Sequence, residues 1–442
     1  MPIQTINDRV AVVVDGHSTG ALLAPAFTAY GIGAVHVENR AERSTAHLRT
    51  FAPEAYEACY AYEGDLTALL GALRPHRVGW VIAGTDSGVA LADRLAAALG
   101  LPRHNDPATS AARRDKQEMQ RALVAAGVPA AWHAAVTTPE EARAVALLHG
   151  GAPAIVKPLR SGGTDGVLFC ADPDETASAA GKLLGSESIY GERNETVLVQ
   201  EYLRGDEYMV NCVSAAGHHT VLEIWRSVKT VVGTSPVYDY TELLNPRSQE
   251  SAAVLAYVRE VLTAVGNTWG PSHTEVIATP SGPRLVETAA RLQGTADLSA
   301  ITRATGRNPV TETVHALLDP DLYARGGPPP PPPRRVARGV SFICPRSGRL
   351  RRDLDWTPLH TLPSFHSLLA PAPKAGAYIP RTTDLFTRPG AVYLIHEDPR
   401  VVERDHATIR GWEGEGFYDI EEGEEVRRLD PQDSYSFDNF SG

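Results

Sequence analysis

The chain has little of what a scaffold held by disulfides or metal ions would contain. Its 442 residues include four cysteines, which lie far apart and show no Cys-x-x-Cys spacing. A zinc site or a disulfide framework usually has closely spaced cysteines. The pattern therefore argues against both and favours buried free thiols. The four residues are Cys59, Cys170, Cys212 and Cys344.

Long hydrophobic runs and a positive net charge are also missing. No stretch approaches the roughly 18 apolar residues that a membrane span needs, and the N-terminus carries no basic segment followed by an apolar one. The formal net charge is −11, and the Lys and Arg residues are scattered, whereas nucleic-acid phosphates bind clustered cations. The sequence predicts a cytoplasmic protein that handles small molecules and binds neither membrane nor nucleic acid.

What is present is an ordinary globular composition, with 43% hydrophobic and 21% charged residues. The chain is too long for one core, so three or four packed units are expected. Two short apolar runs, Val10 to Val14 and Val78 to Ala83, each end in a turn of small residues followed by a helical pattern. Strands that alternate with helices predict an open parallel α/β sheet in the N-terminal unit.

The rest of the chain shows an α+β pattern whose sheets close over a ligand. Its clearest low-complexity segment is Gly326-Gly327 followed by six prolines, which favour a stiff, extended spacer. A ligand for an aromatic-lined groove is the alternative. The predicted units are an N-terminal α/β domain, a lid subdomain, a large subdomain, a polyproline linker and a C-terminal domain with an acidic tail: 1–108, 109–197, 198–327, 328–333 and 334–442.

The strongest local signal runs from Ala154 to Val167. A predicted strand ends at Lys157 and Pro158, and a loop with three glycines and two hydroxyl side chains follows. Such a loop can turn its backbone N–H groups toward phosphate oxygens, because glycine tolerates the required dihedral angles. It is not a Walker A loop, since no Gly-Lys-Ser/Thr follows the glycines. A surface hairpin with a solvated lysine is the alternative interpretation.

Acidic residues between apolar strands form the second signal. Glu207 follows one such strand and suits the hydroxyl groups of a ribose. Further on, two apolar strands joined by a turn at 280–283 should pair antiparallel and bring Glu275 close to Glu287. Because like charges repel in a partly buried site, the pair predicts Mg²⁺, completed by nucleotide phosphates. A solvated pair on an exposed hairpin is the alternative.

Substrate recognition has a weaker signal. The segments Glu223–Lys229 and Pro236–Tyr240 mix aromatic and charged residues between the nucleotide motifs, as an amino-acid pocket would. Within them, Asp239 suits an ammonium group and Arg226 suits a carboxylate. Tyr238 fits core packing equally well.

Together with 113–119, these segments resemble the ATP-grasp superfamily over about residues 80–294. Within it, 84–88, His273-Thr274-Glu275 and Glu287…Arg291 look most like the bacterial L-amino-acid ligases. The resemblance implies an ATP-grasp fold and an ADP-forming ligase that joins a carboxylic acid to an amine, both expected to be amino acids, through an acyl-phosphate. Ala289 replaces the asparagine of Glu-x-Asn, which leaves the number of metal ions open: one or two, Mg²⁺ or Mn²⁺.

The same resemblance implies roles for individual residues. The predicted ATP contacts at the phosphates, the lid, the adenine and the ribose are Lys116, Lys157, Ser161, Gly162, Gly163, Thr164, Gln200, Glu201, Leu203 and Glu207. The predicted metal ligands are Glu275 and Glu287. The predicted catalytic set is Arg291, Lys157 and Glu287. The predicted substrate contacts are Arg226, Tyr238, Asp239, His273 and Arg291.

Other functions fit the motifs as well. An ATP-grasp ligase that loads an amino acid onto a carrier protein would carry the same residues, and so would a carboxylase, although no Met-Lys-Met-like segment of a biotin carrier occurs. A nucleotide-binding protein without turnover would need fewer aligned charges. The identity of the acid and the amine stays open, as does the oligomeric state, although homodimers are common in the family.

Overall fold

The structure is a computed structural model that describes residues 8–42, 50–162, 165–232, 235–294, 296–385, 387–414 and 416–421. Within these ranges the strands form four sheets, of which one is parallel and the largest has eight strands. No helix in the described part of the chain is long and apolar enough to cross a membrane.

The N-terminal unit is a parallel sheet with the strand order β3-β2-β1-β4, as the alternation of strands and helices predicted. All five residues of β1 are buried, because it lies between β2 and β4. The strand order reverses beside β1, and the crevice between the loops after β1 and β4 is where open α/β sheets bind ligands. The elements are β1 (Val10–Val14), α1 (Leu23–Thr28), β2 (Gly33–Asn39), β3 (Ala58–Tyr62), α2 (Leu66–Leu73), β4 (Val78–Ala83) and α3 (Val89–Ala98).

Two glycines let the loops after β1 and β4 pack against each other. A Cβ atom on Gly84 would lie 2.4 Å from the backbone oxygen of Asp15, and one on Gly20 would lie 2.3 Å from the backbone oxygen of Gly84. The loops are further joined by the Ser87 hydroxyl, which donates a hydrogen bond to the buried Asp15 carboxylate. A side chain at either glycine would therefore push the two loops apart.

The second unit is an antiparallel sheet with the strand order β5-β8-β6-β7. The helix predicted from Ala111 begins later, at Lys116. The Asp115 carboxylate caps it there by accepting hydrogen bonds from the backbone N–H groups of Gln117 and Glu118. Lys116 thus occupies the first turn of α4. The elements are α4 (Lys116–Ala125), β5 (His133–Val136), α5 (Pro139–Leu148), β6 (Ala154–Pro158), β7 (Leu168–Cys170), α6 (Pro173–Leu183) and β8 (Val197–Glu201).

The third unit contributes most of the eight-stranded sheet, and one face of this sheet packs on α7. Tyr208, Val210, Ile224 and Val276 point to that face and join α7 residues in the largest apolar cluster. Side chains at the alternate positions of the same strands therefore point to the opposite face. The elements are β9 (Asp206–Ala215), β10 (His218–Val232), β11 (Ser235–Leu243), α7 (Gln249–Ala264), β12 (Gly270–Thr279), β13 (Gly282–Ala289), α8 (Leu298–Thr305), α9 (Pro309–Leu318) and α10 (Pro320–Ala324).

Strands on both sides of the polyproline run pair in this same sheet, whose order is β13-β12-β9-β10-β11-β14-β18-β16. The run itself, 328–333, has no regular secondary structure and connects α10 to β14. The domain boundaries stay a prediction, and 422–442 of the acidic tail lie outside the described residues. The remaining elements are β14 (Val336–Ser341), β15 (Gly348–Leu350), β16 (Phe365–Leu369), β17 (Tyr378–Ile379), β18 (Ala391–His396), α11 (Pro399–Gly414) and β19 (Ile420–Glu421).

Three of the four thiols are buried as predicted, but the prediction is wrong for Cys59. Cys59 lies on β3, an edge strand of the parallel sheet whose residues alternate in exposure. Burial raises the pKa of Cys212 to about 12, so this thiol stays protonated and inert.

Arg113 joins three elements through one buried guanidinium. It forms a salt bridge with Asp93 of α3 at 2.6 Å and donates hydrogen bonds to the backbone oxygens of Val265 and Gly266, which follow α7. The Arg113 side chain is only 1% exposed, so its charge and that of Asp93 depend on each other for compensation.

Replacing Arg113 by Met should lower the free energy of unfolding by about 3–5 kcal/mol, because Asp93 would be left buried without a compensating charge. Urea denaturation against the unsubstituted protein measures the loss. Arg121→Met is the control, since its salt bridge with Glu118 is exposed and worth about 0–1 kcal/mol. Equal effects of the two substitutions would contradict the buried role of Arg113.

Candidate active site

Glu275 and Glu287 lie directly opposite each other on the paired strands β12 and β13, as the turn between them predicted. Their side chains are 24% and 19% exposed, so water screens the two charges only in part. Each carboxylate has a basic neighbour. Lys116 Nζ lies 2.9 Å from Glu287 Oε2, and His273 Nε2 lies 3.3 Å from Glu275 Oε1.

The Glu275–Glu287 pair fits a hard divalent cation. Both side chains offer carboxylate oxygens, which are the ligands that Mg²⁺ prefers, and they face each other across adjacent strands. No group of three or more His, Cys, Asp or Glu side chains suited to a metal ion occurs among the described residues. An ion bound by this pair would take its other ligands from phosphate groups or water, as Mg²⁺ usually does.

Lys157 brings a buried ammonium group to the hairpin from the end of β6. Its Nζ donates a hydrogen bond to the backbone oxygen of Val286, at 3.3 Å. Burial and the positive charge of Lys116 lower the pKa of Lys157 to about 8, although Glu287 and Glu275 act in the opposite direction. An anionic ligand such as phosphate would favour the charged form of this lysine.

The start of the Gly-rich loop lies against Lys116 and Tyr190. Lys116 Nζ donates a hydrogen bond to the backbone oxygen of Ser161, at 2.9 Å. A Cβ atom on Gly162 would lie 2.8 Å from the Tyr190 hydroxyl, so a side chain there requires Tyr190 to move. Two of the predicted lid residues, Gly163 and Thr164, lie outside the described residues.

The residues predicted for adenine divide between two faces of the four-stranded sheet. Ile155 pairs with Gln200 and Lys157 pairs with Leu198, so Gln200 and Lys157 project from the same face. Gln200 is buried, and its Nε2 has no hydrogen-bond partner within the described chain, which suits an acceptor on a ligand. Glu201 instead accepts a hydrogen bond from the Trp132 backbone N–H at 2.7 Å.

A cavity of about 830 Å³ lies along the connection between the two sheets, on the Glu201 side. Its lining includes Glu201, Leu203 and Trp132, but neither Lys157 nor Glu287. The cavity is therefore separate from the cluster of lysines and glutamates. Two of the residues predicted to hold adenine, Glu201 and Leu203, lie at this cavity.

Glu207 lies on the same face of the large sheet as Glu275 and is held by two neighbours. Lys229 Nζ lies 2.6 Å from its Oε2, and the Tyr238 hydroxyl donates a hydrogen bond to its Oε1 at 3.0 Å. Burial and the nearby carboxylates raise the pKa of Tyr238 well above its ordinary value, so its hydroxyl stays a donor. These contacts orient the Glu207 carboxylate.

Arg291 follows β13 and ties the hairpin to the N-terminal sheet. Its Nε donates a hydrogen bond to Asp86 Oδ2 at 2.8 Å, and the Tyr190 hydroxyl donates to the same oxygen at 3.2 Å. Burial raises the pKa of Asp86, but the Arg291 charge and these hydrogen bonds outweigh it and hold the pKa below its ordinary value. Asp86 belongs to the loop after β4, so the crevice of the parallel sheet opens next to Arg291.

Two of the predicted substrate residues, Tyr238 and His273, lie on the face of the large sheet that carries Glu207 and Glu275. The other two, Arg226 and Asp239, do not. Arg226 pairs with Glu242 and with Glu250 of α7, on the face that α7 covers. Asp239 accepts hydrogen bonds from Arg410 and His406 of α11. The reason is the alternation of side chains along a strand, which sends neighbouring residues to opposite faces.

Sequence reasoning assigned no role to several residues that the structure places at the site. Asp86 and Lys229 lie in the segments 84–88 and Glu223–Lys229, but their partners, Arg291 and Glu207, are distant in sequence. Asn211 had a signal that went unused, since it is a lone amide inside an apolar strand. No pattern around Tyr190 pointed to Asp86.

Known proteins resemble this chain in sequence over the region that carries these motifs. Residues 114–235 match the family described as phosphoribosylglycinamide synthetase, ATP-grasp (A) domain. The chain is 30% identical over 429 residues to dapdiamide A synthase of Enterobacter agglomerans, an alignment that covers 93% of this chain and 97% of that protein.

Solved structures share the fold at low sequence identity. An L-amino acid ligase from Bacillus licheniformis superposes with a TM-score of 0.69 at 16% identity, covering 91% of this chain and 97% of that one. A carboxyaminoimidazole ribonucleotide synthase from Aspergillus clavatus, complexed with ATP, gives 0.65 at 13% identity, with 92% and 99% covered. At these identities the similarity bears on the fold alone, and it agrees with the predicted mixed α/β architecture.

If Lys157 contacts the ATP phosphates as the sequence predicts, the affinity for ATP should fall as the pH rises through about 8, because its ammonium charge is present below this pH and is lost above it. The loss approaches about tenfold per pH unit at higher pH. Lys157→Arg should remove this dependence, since a guanidinium stays charged. Equilibrium binding of a non-hydrolysable ATP analogue from pH 7 to 9.5 measures it.

Lys182→Arg, at an exposed position of α6, is the matched control and should keep the full pH dependence. A slope that persists unchanged in Lys157→Arg would assign the pH dependence to another group.

Proposed function

We propose that this chain, which belongs to the ATP-grasp carboxylate–amine ligases, joins one amino acid, or a related carboxylic acid, to the amine of a second. Ligases of this family use ATP and release ADP as they form a carbon–nitrogen bond. The observation that carries the proposal is the opposed pair Glu275–Glu287, with Lys116, Lys157 and Arg291 around it. The names of two relatives, dapdiamide A synthase and L-amino acid ligase, support this substrate class.

One or two Mg²⁺ ions, or Mn²⁺, would be held by Glu275 and Glu287 and would offset charge on the ATP phosphates. Lys116 and Lys157 would contact phosphate oxygens from the other side of the site. Gln200 would meet the adenine through its unpaired amide nitrogen, and the Glu207 carboxylate would accept hydrogen bonds from the ribose. These roles use the orientation that each side chain already has.

In the first step, an oxygen of the acid substrate attacks the γ-phosphate of ATP. The bond to ADP breaks, and the acid becomes an acyl-phosphate, which is a good electrophile where the free carboxylate is a poor one. Arg291 would stabilise the transferred phosphoryl group. The hydrogen bonds of its guanidinium to Asp86 and to the Leu292 backbone oxygen, beside the hairpin, support this role. Lys157 balances charge on the same group.

In the second step, the amine attacks the carbonyl carbon of the acyl-phosphate, inorganic phosphate leaves, and the nitrogen gives up a proton. Water would compete with the amine, so the site must be covered during both steps. The loop around Ser161 and Gly162 is suited to this task, because Lys116 and Tyr190 hold it next to the phosphate site. No side-chain nucleophile is needed.

The crevice between the loops after β1 and β4 is the natural place for one of the substrates. It lies at the reversal of strand order in the parallel sheet, where ligands bind in such folds. It also borders Arg291 through Asp86 and approaches Gly294 through Ser18. A substrate bound there would have its reacting group near the transferred phosphate.

ADP release tests the proposal. With Mg²⁺ and ATP, and amino acids supplied singly and in pairs, release should require a pair and should yield an amide detectable by mass spectrometry. Glu287→Gln should lower the rate on the order of 100-fold or more, because the pair loses one charge. Glu260→Gln, on the exposed side of α7, is the control and should leave the rate unchanged.

ADP release that occurs without an amine and without an amide product would contradict the ligase proposal, as would full activity of Glu287→Gln. If an amide forms only when the amino acid is attached to a carrier protein, the substrate is the carrier-bound amino acid and not the free one.

A further inference from the structure

Asn211 lies at the centre of a row of polar side chains that crosses three strands of the large sheet. On β9 it lies directly opposite Glu223 of β10 and, on its other side, directly opposite His273 of β12. Residues that pair in this way project from the same face of a sheet. Glu275 lies two residues after His273 on β12, so it projects from this face as well. Asn211, Glu223 and His273 are all buried.

Hydrogen bonds fix the orientation of the Asn211 amide group. Its Nδ2 donates to Glu223 Oε1 at 2.6 Å and to Gln293 Oε1 at 2.7 Å. The oxygen of Gln293 is the acceptor here, because Gln293 Nε2 points to Met209 Sδ, at 3.8 Å. An amide nitrogen carries two hydrogen atoms, and these two acceptors use both. The Asn211 oxygen is therefore the atom that remains for His273.

The His273 ring is oriented in turn by Asn211. Asn211 Oδ1 lies 2.8 Å from His273 Nδ1, and because an amide oxygen can only accept, Nδ1 carries the hydrogen atom of this bond. The ring therefore presents its other nitrogen, Nε2, to Glu275, whose Oε1 lies 3.3 Å away. A chain of contacts thus leads from Glu223 through two side chains to one end of the opposed glutamate pair.

We propose that Asn211 is a positioning residue for the metal ligand Glu275 and acts through His273. The inference rests on the proposed function, in which Glu275 and Glu287 hold Mg²⁺ against the ATP phosphates. Carboxylates that bind metal ions are oriented by neighbouring side chains, and loss of such a partner typically lowers metal affinity about 10–100-fold. Asn211 fixes the ring, and the ring engages Oε1 of Glu275, which leaves Oε2 for the ion.

The test measures how much Mg²⁺ the protein needs to bind a non-hydrolysable ATP analogue, without turnover. Asn211→Leu keeps the approximate size of the side chain but removes its polar atoms, so the His273 ring loses its partner. The Mg²⁺ concentration at half-maximal binding should rise about 10–100-fold, and binding should recover at saturating Mg²⁺. A role in folding alone would lower stability, measured by urea denaturation, and would leave the Mg²⁺ requirement unchanged.

Asn267→Leu is the matched control. Asn267 follows α7, is also buried, and donates a hydrogen bond to Ser214 Oγ at 3.0 Å, outside the row that leads to Glu275. Its replacement should lower stability and keep the Mg²⁺ requirement of the unsubstituted protein.

Glu223 allows a second, independent comparison. Glu223→Gln keeps an oxygen that accepts from Asn211 and should leave the Mg²⁺ requirement unchanged, whereas Glu223→Met removes the acceptor and should raise it. The rise should be smaller than in Asn211→Leu, because Gln293 still holds one N–H of the amide. This pair carries the test if Asn211→Leu does not fold.

An unchanged Mg²⁺ requirement in Asn211→Leu would overturn the proposal, as would a loss of binding that saturating Mg²⁺ does not restore. If that variant does not fold, equal requirements in the two Glu223 variants would overturn it. Amide formation by the unsubstituted protein beside either result would reject the positioning role alone. Binding of the analogue that needs no Mg²⁺ in the unsubstituted protein would reject the metal site itself, and the positioning role with it.

Discussion

Two like charges held on neighbouring strands impose the constraint on which the site depends. The register of β12 and β13 fixes Glu275 opposite Glu287, and their repulsion is tolerated only with compensating charge nearby. That charge comes from separate elements: Lys116 begins α4 and Lys157 ends β6. The four-stranded sheet and the large sheet therefore meet at the hairpin, where the two lysines compensate the two glutamates.

A second electrostatic contact brings in the N-terminal sheet. Arg291 and Asp86 are partly buried, so each would be costly without the other, and their salt bridge connects the end of β13 to the loop after β4. The close approach of Gly20 and Gly84 packs that loop against the segment after β1. As a consequence, the crevice of the parallel sheet borders the end of the hairpin that carries Glu275 and Glu287.

Local sequence patterns predicted the features that depend on residues close together in the chain. A tight turn between two apolar strands sets the register of Glu275 and Glu287, and Pro158 stops the strand that carries Lys157, so both were predictable. Pairings between distant segments were not: β8 and β9 are neighbours in sequence but belong to different sheets, and β14 extends the large sheet across the polyproline run. The salt bridge of Asp239 was equally out of reach of the sequence, since its partner, Arg410, lies 171 residues away.

The distant charged partners that the sequence could not identify also distinguish a structural charge from a functional one. The charge of Asp239 is compensated within the folded chain by Arg410 and His406, so it stabilises packing. Lys157 and Glu223 are buried with their charges incompletely compensated. Burial lowers the pKa of Lys157 and raises that of Glu223, and both shifts favour the neutral form. A fold keeps such costly groups only where something else completes them. Incomplete compensation is therefore the feature on which the proposed phosphate contact of Lys157 rests.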